Sequence, residues 1–125
     1  MGNMNGCSFV LDLDMNSRYS LNKIYAGSHW STRKADASMV HQMVGWTLRQ
    51  AGIPDRCFER PVRIELFYNC KLDIDNCGWM SKMIIDGLKG HLIVDDTKKY
   101  VRYVGQGFWD GAGILVEVKE MEEAS

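Results

Sequence analysis

Four segments of the chain have the features of strands, and two of them, residues 7–15 and 60–70, alternate apolar residues with other residues at a period of two, which is the pattern of strands that bury one face. The four segments are residues 7–15, 60–70, 98–108 and 112–121. In the second of them, Val62, Ile64, Leu66 and Tyr68 all stand on the same side. The pattern therefore predicts four strands.

Two further segments have the features of amphipathic helices. The first is predicted to start after a cap at Ser31 or Thr32 and to run to about Gln50, and the second covers roughly residues 76–89. Both are expected to end at a glycine, Gly52 and Gly90. The first helix has an apolar stripe that we expect in the core: Met39, Val40, Met43 and Trp46.

The polar stretch at residues 16–30 predicts a long loop between the first strand and the first helix. The element order is then strand, helix, strand, helix, strand, strand. This order favours an α/β protein of the α+β two-layer sandwich type, with a small mixed sheet packed against two helices. Because the sequence contains no repeat and no proline-rich linker, residues 1–125 are expected to form one domain.

Charge and hydropathy narrow the class of protein. The 125 residues include 15 basic and 16 acidic ones, and this balance argues against nucleic-acid binding over the whole surface. Two stretches are locally basic, since residues 15–35 contain no acid and Lys98, Lys99 and Arg102 lie close together. No apolar run approaches the roughly 20 residues that span a bilayer, so we expect a soluble, cytoplasmic protein with no membrane partner.

The four cysteines do not suggest a metal or disulfide framework. Cys7, Cys57, Cys70 and Cys77 form no C-x-x-C pair, and the chain is not a tiny secreted scaffold. We therefore expect reduced thiols that are mostly packed. The three histidines stand apart in the sequence and are assigned no chemistry.

The stretch LDIDN carries two aspartates two positions apart. If this segment is extended, Asp73 and Asp75 point to the same side, where two carboxylates repel each other unless a cation lies between them. Mg²⁺ suits such a site because it uses one or two carboxylates and keeps positions for water and substrate phosphate. The alternative is that Asp75 or Asn76 caps the second helix, although a cap explains only one acid.

The second helix is predicted to have a polar side and an apolar side. At about 100° per residue, the polar side carries Asp75, Trp79, Lys82 and Asp86, and the apolar side carries Met80, Ile84 and Leu88. Since the apolar side must face the sheet, Lys82 and Asp86 are expected on the face onto which the two aspartates open. The alternative for Lys82 is an ordinary i,i+4 ion pair with Asp86.

Asp95 and Asp96 follow the second helix, where the chain can return beside the end of the second strand. That placement would bring a further carboxylate to the first two, and the alternative is an aspartate-rich turn before a strand.

Two weaker patterns are interpreted as polar faces of strands. They are the D-x-D at Asp12 and Asp14 and the E-x-K at residues 117–119.

The combination of LDIDN, the Lys82 and Asp86 spacing, GLKG and VDD resembles the RusA family of Holliday junction resolvases, phage-type endonucleases that cut four-way DNA junctions. The likeness covers nearly the whole chain. SLNKIY and STRKADASMV are similar to the family's entry segment, RPVRIEL to its strand before the acids and GILVEVKEM to its last strand. The resemblance implies a RusA-like fold, a homodimer and Mg²⁺ or Mn²⁺ as cofactor, in a bacterial host cell with a phage or prophage as possible source.

The resemblance also implies functional residues. The family's metal-site acids correspond to Asp73, Asp75 and Asp96, with Asp95 beside them, and its lysine corresponds to Lys82. DNA contacts are expected from Arg18, Asn22, Lys23, Arg33, Lys34, Lys71, Lys98, Lys99 and Arg102. This chain departs from the family by three extra residues before Lys82, about 4.5 Å of helix, and by offering only Lys71 where members often carry several arginines.

The expected function is Mg²⁺-dependent, structure-specific endodeoxyribonuclease activity that resolves Holliday junctions by paired symmetric nicks in DNA recombination and repair. The acids would hold the metal, and Lys82 would neutralise charge that grows on the transition state. Trp79 and Tyr25 are candidates for stacking on bases, with packing inside the protein as the alternative. Two other functions stay open: a non-catalytic branched-DNA-binding protein and a metal-dependent nuclease without junction specificity.

Overall fold

The computed structural model describes residues 5–25 and 30–122, except for the side chains of Asn22, Tyr25, Trp30 and Ser31. Within these ranges the strands are β1 (Gly6–Leu11), β2 (Val62–Tyr68), β3 (Val101–Phe108) and β4 (Ile114–Glu120). The α-helices are α1 (Leu21–Tyr25), α2 (Trp30–Gln50) and α3 (Gly78–Leu88), and two 3₁₀ turns, Ser17–Tyr19 and Ile74–Cys77, precede α1 and α3. None of these helices combines the length and the apolar character that crossing a membrane requires.

The four strands form one mixed sheet in the order β1-β4-β2-β3. β4 runs antiparallel to β1 and to β2, whereas β2 and β3 are parallel neighbours joined through α3. Residues 109–113 link β3 to β4 across the end of β2, where the N–H of Trp109 donates to the carbonyl oxygen of Tyr68 at 3.0 Å. The predicted α+β two-layer sandwich, a small mixed sheet packed with two helices, is confirmed.

The core lies between the sheet and the two long helices. β2 contributes four fully buried side chains, Val62, Ile64, Leu66 and Tyr68. The predicted apolar side of α3 is confirmed, since Met80, Ile84 and Leu88 are also fully buried. Gly87 allows α2 and α3 to approach closely, because a Cβ at this position would lie 3.2 Å from the side chain of Val44.

β1 ends at Leu11, four residues earlier than predicted, because its partner strand starts there. Leu11 pairs with Ile114, the first residue of β4, so the ladder does not continue. Leu13 and Met15 nevertheless stay buried, which explains why their alternation resembled a strand. Gly113 permits the tight turn before β4, since its φ is +81° and a Cβ would collide with the carbonyl oxygen of Leu11.

The first long helix differs from the prediction at its start and agrees with it at its end. α2 begins at Trp30, so Ser31 and Thr32 lie inside the helix and the predicted cap is wrong. Gly52 follows the helix with a φ of +71°. The N–H groups of Gly52 and Ile53 return to carbonyl oxygens of the last turn, in the arrangement of a Schellman motif.

The buried stripe of α2 is rotated from the predicted one. Val40, Val44 and Leu48, spaced four residues apart, are almost completely buried, whereas Trp46 is 51% exposed. The prediction of Trp46 as a core residue is therefore wrong. The reason is geometric, because the stripe at i, i+4 and i+8 faces α3 and β1, and position 46 lies on the opposite side of the helix.

The stretch predicted as a loop, residues 16–30, contains the 3₁₀ turn Ser17–Tyr19 and α1. Arg18 ties this segment to α2 through two hydrogen bonds from its guanidinium group to Asp36, at 2.6 and 3.2 Å. Asp36 is buried, so its carboxylate requires this partner. The prediction of an irregular loop is therefore wrong for the described part of this stretch.

Candidate active site

Asp73 and Asp75 lie in the segment that leads from β2 into α3. Asp73 is extended, but the next residues, Ile74–Cys77, form a 3₁₀ turn, so the predicted extended segment is wrong for Asp75. The turn is closed by the N–H of Asn76, which donates to the backbone carbonyl oxygen of Asp73 at 3.0 Å. Both aspartates are exposed, and neither carboxylate has a hydrogen-bond or ion-pair partner among the described residues.

Helix capping does not explain these two aspartates. Asp73 precedes the 3₁₀ turn, yet its side chain makes no capping hydrogen bond. The N-cap of α3 is Cys77 rather than Asp75 or Asn76. Two exposed carboxylates that serve neither a cap nor an ion pair remain available to a divalent cation.

Side chains of β2, α3 and β3 meet at the end of this segment, where the hydroxyl of Tyr68 donates to the carbonyl oxygen of Cys77 at 3.5 Å. The hydroxyl of Ser81 donates to Gln106 at 2.5 Å and shares a 2.5 Å hydrogen bond with the hydroxyl of Tyr68. Burial raises the pKa of Tyr68 far above its usual range, so this hydroxyl stays protonated. Cys70 and Cys77 flank the aspartates with their Sγ atoms 3.9 Å apart, and burial, reinforced by Cys70, raises the pKa of Cys77 to about 12.

Lys82 projects from the exposed face of α3. Its Nζ donates to Oδ2 of Asp86 at 3.2 Å, so the ordinary i,i+4 ion pair is present. Such a pair is worth on the order of a few tenths of a kcal/mol. The Lys82 side chain is 67% exposed, compared with 19% for Asp86. The ammonium group is therefore accessible to a phosphate despite the ion pair.

Lys89, at the end of α3, joins this helix to the second acid pair. Its Nζ lies 3.3 Å from Asp96, 3.8 Å from Asp95 and 3.5 Å from Asp86. The hydrogen bond to Asp96 raises the pKa of Lys89. Burial acts to raise the pKa of Asp96, but the hydrogen bond and the charge of Lys89 outweigh it and lower that pKa. Asp96 is thus ionised and already has a cationic partner.

A groove of about 350 Å³ follows α3 beside β3. Its polar lining consists of Ser81, Lys82, Asp86, Asp96 and Gln106. Gly78 lines one end, three residues after Asp75, and Asp86 lies eight residues further, about 12 Å along the helix. The D-x-D segment thus leads into one end of the groove, and Asp96 lies toward the other.

Within residues 5–25 and 30–122, no three His, Cys, Asp or Glu side chains stand close enough together to hold a metal ion. The predicted three-carboxylate site is therefore not assembled here. Asp73 and Asp75 supply carboxylate oxygens of the kind that a sparse Mg²⁺ site uses, and their metal role stays a prediction. Asp96 is engaged with Lys89, and the metal roles of Asp96 and Asp95 stay predictions.

The predicted DNA-contacting residues fall into different environments. Lys98, Lys99 and Arg102 are exposed and line one shallow depression at the start of β3. Lys71 is exposed two residues before Asp73. Along the chain, Lys71 precedes the first acid pair, and Lys98, Lys99 and Arg102 follow the second.

The remaining predicted DNA-contacting residues differ in exposure and in the partners of their side chains. Arg18 is held by Asp36 and also lies over the ring of Tyr19, at 5.7 Å. Arg33 is half-buried, and its buried Nε has no partner among the described residues. Lys23 and Lys34 are exposed on the first two helices. The side chain of Asn22 lies outside the described residues.

Trp79 packs within the protein. Its ring is stacked on that of Tyr19, with centroids 5.8 Å apart and planes 5° apart. Tyr19 is buried and Trp79 is half-buried, which favours packing over base stacking for this tryptophan. The side chain of Tyr25, the other stacking candidate, is outside the described part of the chain.

No protein-family model and no curated protein matches this chain. The likeness to the RusA family therefore depends on the residues of the chain alone. The sequence analysis missed two residues: Gln106, which lines the groove, and Lys89, which pairs with the groove residues Asp86 and Asp96. Lys89 stands three residues after Asp86, a spacing that indicates an ion pair, whereas Gln106 joins Ser81 only because β3 pairs with β2.

Proposed function

We propose that this protein is a Mg²⁺-dependent endodeoxyribonuclease of the RusA type, which resolves Holliday junctions by paired symmetric nicks. The observation that carries the proposal is the Asp73 and Asp75 pair, exposed and without partners among the described residues, next to a groove lined by Lys82. A free acid pair suits a divalent cation, and a neighbouring lysine suits a phosphodiester.

Asp73 and Asp75 are the residues that would hold Mg²⁺ or Mn²⁺, with Asp96 as the third candidate ligand and Asp95 beside it. When bound, the ion polarises the phosphate and lowers the pKa of an attacking water. Lys82 offsets the charge of the scissile phosphate from the exposed face of α3. Lys89 keeps Asp96 ionised, and it supplies a second ammonium group near the groove.

The basic residues support a nucleic-acid substrate. Lys98, Lys99 and Arg102 share one surface depression, two to six residues after Asp96 along the chain. Lysine and arginine contacts to phosphates position a nucleic acid without reading its sequence, which suits an enzyme that selects DNA by its shape. We place this activity in the cytoplasm of a bacterial host cell, with a phage or prophage as a possible source of the gene.

A homodimer belongs to the proposal, because a four-way junction has two-fold symmetry and paired nicks need two active sites. β3 is an edge strand, and its Val104 and Phe108 are 45% and 53% exposed. Exposed edge strands with apolar residues are suited to pairing with another chain. Sedimentation equilibrium tests this part, and a monomer at concentrations that give paired nicks would contradict it.

The decisive experiment compares a labelled mobile four-way junction with a linear duplex of the same sequence, with and without Mg²⁺. The wild-type protein is expected to nick the junction symmetrically, only with metal, while the duplex stays intact. The Asp75→Asn protein is expected to bind the junction without nicking it. Undiminished cutting by this variant would exclude the proposed site.

Two outcomes would favour the alternatives. Junction binding without nicks at any Mg²⁺ or Mn²⁺ concentration would indicate a non-catalytic branched-DNA-binding protein, which the pairing of Asp96 with Lys89 favours. Equal cutting of junction and duplex would indicate a metal-dependent nuclease without junction specificity.

A further inference from the structure

The two cysteines that flank the aspartates form a second, distinct feature of this segment. The Sγ atoms of Cys70 and Cys77 are 3.9 Å apart. Cys70 is half-buried and Cys77 is buried. Residues 70–77 therefore form a short loop whose two ends carry thiols and whose middle carries Asp73 and Asp75.

We propose that Cys70 and Cys77 form a reversible disulfide that closes residues 70–77 into a ring and switches off the acid pair inside it. A disulfide needs the sulfur atoms at about 2.05 Å, so the two Sγ atoms, now 3.9 Å apart, approach each other by about 1.9 Å. Cys7 and Cys57 line another cavity, which neither Cys70 nor Cys77 lines, so they stand apart from this pair.

The oxidation requires a disulfide oxidant, such as glutathione disulfide. The sulfur of Cys70, the more accessible thiol, attacks one sulfur of the oxidant and releases the first thiol, which takes up the proton of Cys70. The sulfur of Cys77 then attacks Cys70 in the mixed disulfide, and a second thiol leaves with the proton of Cys77. Two electrons pass from the cysteines to the oxidant, and an added dithiol reverses the reaction.

Disulfide formation is expected to affect metal binding, because Mg²⁺ tolerates little change in the positions of its ligands. Mg²⁺ requires ligands at about 2.0–2.1 Å in nearly ideal octahedral geometry, so closing residues 70–77 into a covalent ring restricts how the two carboxylates can meet the ion. We expect oxidation to weaken Mn²⁺ or Mg²⁺ binding by about tenfold. This consequence rests on the proposed function, whereas the disulfide itself does not.

Peptide mapping tests the disulfide directly. The full-length protein is incubated with glutathione disulfide, alkylated and digested with trypsin, which cuts between the two cysteines after Lys71. We expect the peptides 64–71 and 72–82 to be linked to each other, and the peptides with Cys7 and Cys57 to be alkylated. Separate alkylated peptides, or glutathione on Cys70 without the link, would overturn the proposal.

Metal titration and cleavage test the switch. Mn²⁺ affinity, measured by electron paramagnetic resonance, is expected to fall about tenfold on oxidation and to recover with dithiothreitol. A Cys70→Ser protein should not respond to the oxidant, while a matched Cys57→Ser protein should respond like the wild type. Unchanged Mn²⁺ affinity in fully linked protein would overturn the switch. If neither the oxidised nor the reduced protein cuts DNA, the proposed function is rejected. The linked peptides and the Mn²⁺ affinity would still decide whether the disulfide forms and whether it weakens metal binding.

Discussion

The two aspartate pairs of this protein lie near opposite ends of α3 and differ in how their charge is balanced. Asp73 and Asp75 are exposed and have no hydrogen-bond or ion-pair partner among the described residues. Asp96 is 3.3 Å from Nζ of Lys89, and Asp95 is 3.8 Å from the same nitrogen. The same residue type thus forms an uncompensated pair at one end and a compensated pair at the other, and only the first is free for a cation.

The largest effect is expected from the uncompensated pair. The Asp75→Asn change should reduce Mg²⁺-dependent nicking of a four-way junction by about 100-fold or more, because it removes a proposed metal ligand. The free energy of unfolding should change by less than about 0.5 kcal/mol, since the carboxylate has no partner in the fold. Single-turnover cleavage and thermal denaturation measure the two effects.

The chain offers a matched control for this prediction. Asp12 and Asp14 form a second exposed D-x-D, outside β1 and away from the groove lining. The Asp14→Asn protein should nick the junction at the wild-type rate. Equal losses in both variants would mean that Asp75 has no special role.

The two residues of the compensated pair should differ in how much they contribute to the rate of nicking. Asp96 lines the groove and Asp95 does not. We therefore expect Asp96→Asn to lower the rate of nicking by about tenfold and Asp95→Asn to lower it little. Cleavage rates measured over a range of Mg²⁺ concentrations distinguish weaker metal binding from slower chemistry, and a larger loss for Asp95→Asn would reverse the assignment.

Lys98, Lys99 and Arg102, the basic patch that follows the second pair, should determine how steeply DNA affinity falls as the salt concentration rises. Replacing Lys98, Lys99 and Arg102 with glutamine should reduce the slope of log K against log salt by about 2 to 3, because each phosphate contact contributes about 0.9. Binding of a junction at several salt concentrations gives the slope. Lys119→Gln, at an exposed position of β4, is the control and should leave it unchanged.

The smallest expected effect is a change in the pKa of Asp96 when Lys89, the cation that pairs with the second acid pair, is replaced. Because Lys89 lowers the pKa of Asp96 below its ordinary value of 3.8, their pairing stabilises the protein above that pH. The stabilisation is lost as the pH falls through the lowered pKa. The Lys89→Met change should raise the pKa of Asp96 toward 3.8, as followed by NMR of the carboxyl carbon. No rise would mean that the ion pair is absent in solution.

The elements with long periodic patterns were predictable from the sequence. The alternation in β2 and the apolar side of α3 follow from spacing alone, because each requires one face to be buried. Gly52 and Gly90 were found for the same kind of local reason, since both adopt a positive φ that other residues avoid. The candidate site was also identified locally, from Asp73, Asp75 and Lys82.

Local patterns were misleading where a tertiary contact decided the structure. β1 stops at Leu11 because β4 begins opposite it, and Trp46 is exposed because α3 and β1 cover another side of α2. The sequence gives no signal for either contact. The segment with Asp75 forms a 3₁₀ turn and is not extended. The spacing of two between Asp73 and Asp75 therefore does not indicate that they point to the same side.

By itself, the sequence determined the four strands, the two longer helices and the acids, although not their exact ends, because these depend on neighbours within a few positions along the chain. Only the tertiary structure decided that β3 pairs in parallel with β2, that Ser81 reaches Gln106 and that Lys89 holds Asp96. The physical reason is that ion pairs and strand order depend on which distant residues meet in space. The same packing brings Cys70 and Cys77 to 3.9 Å around the two free aspartates.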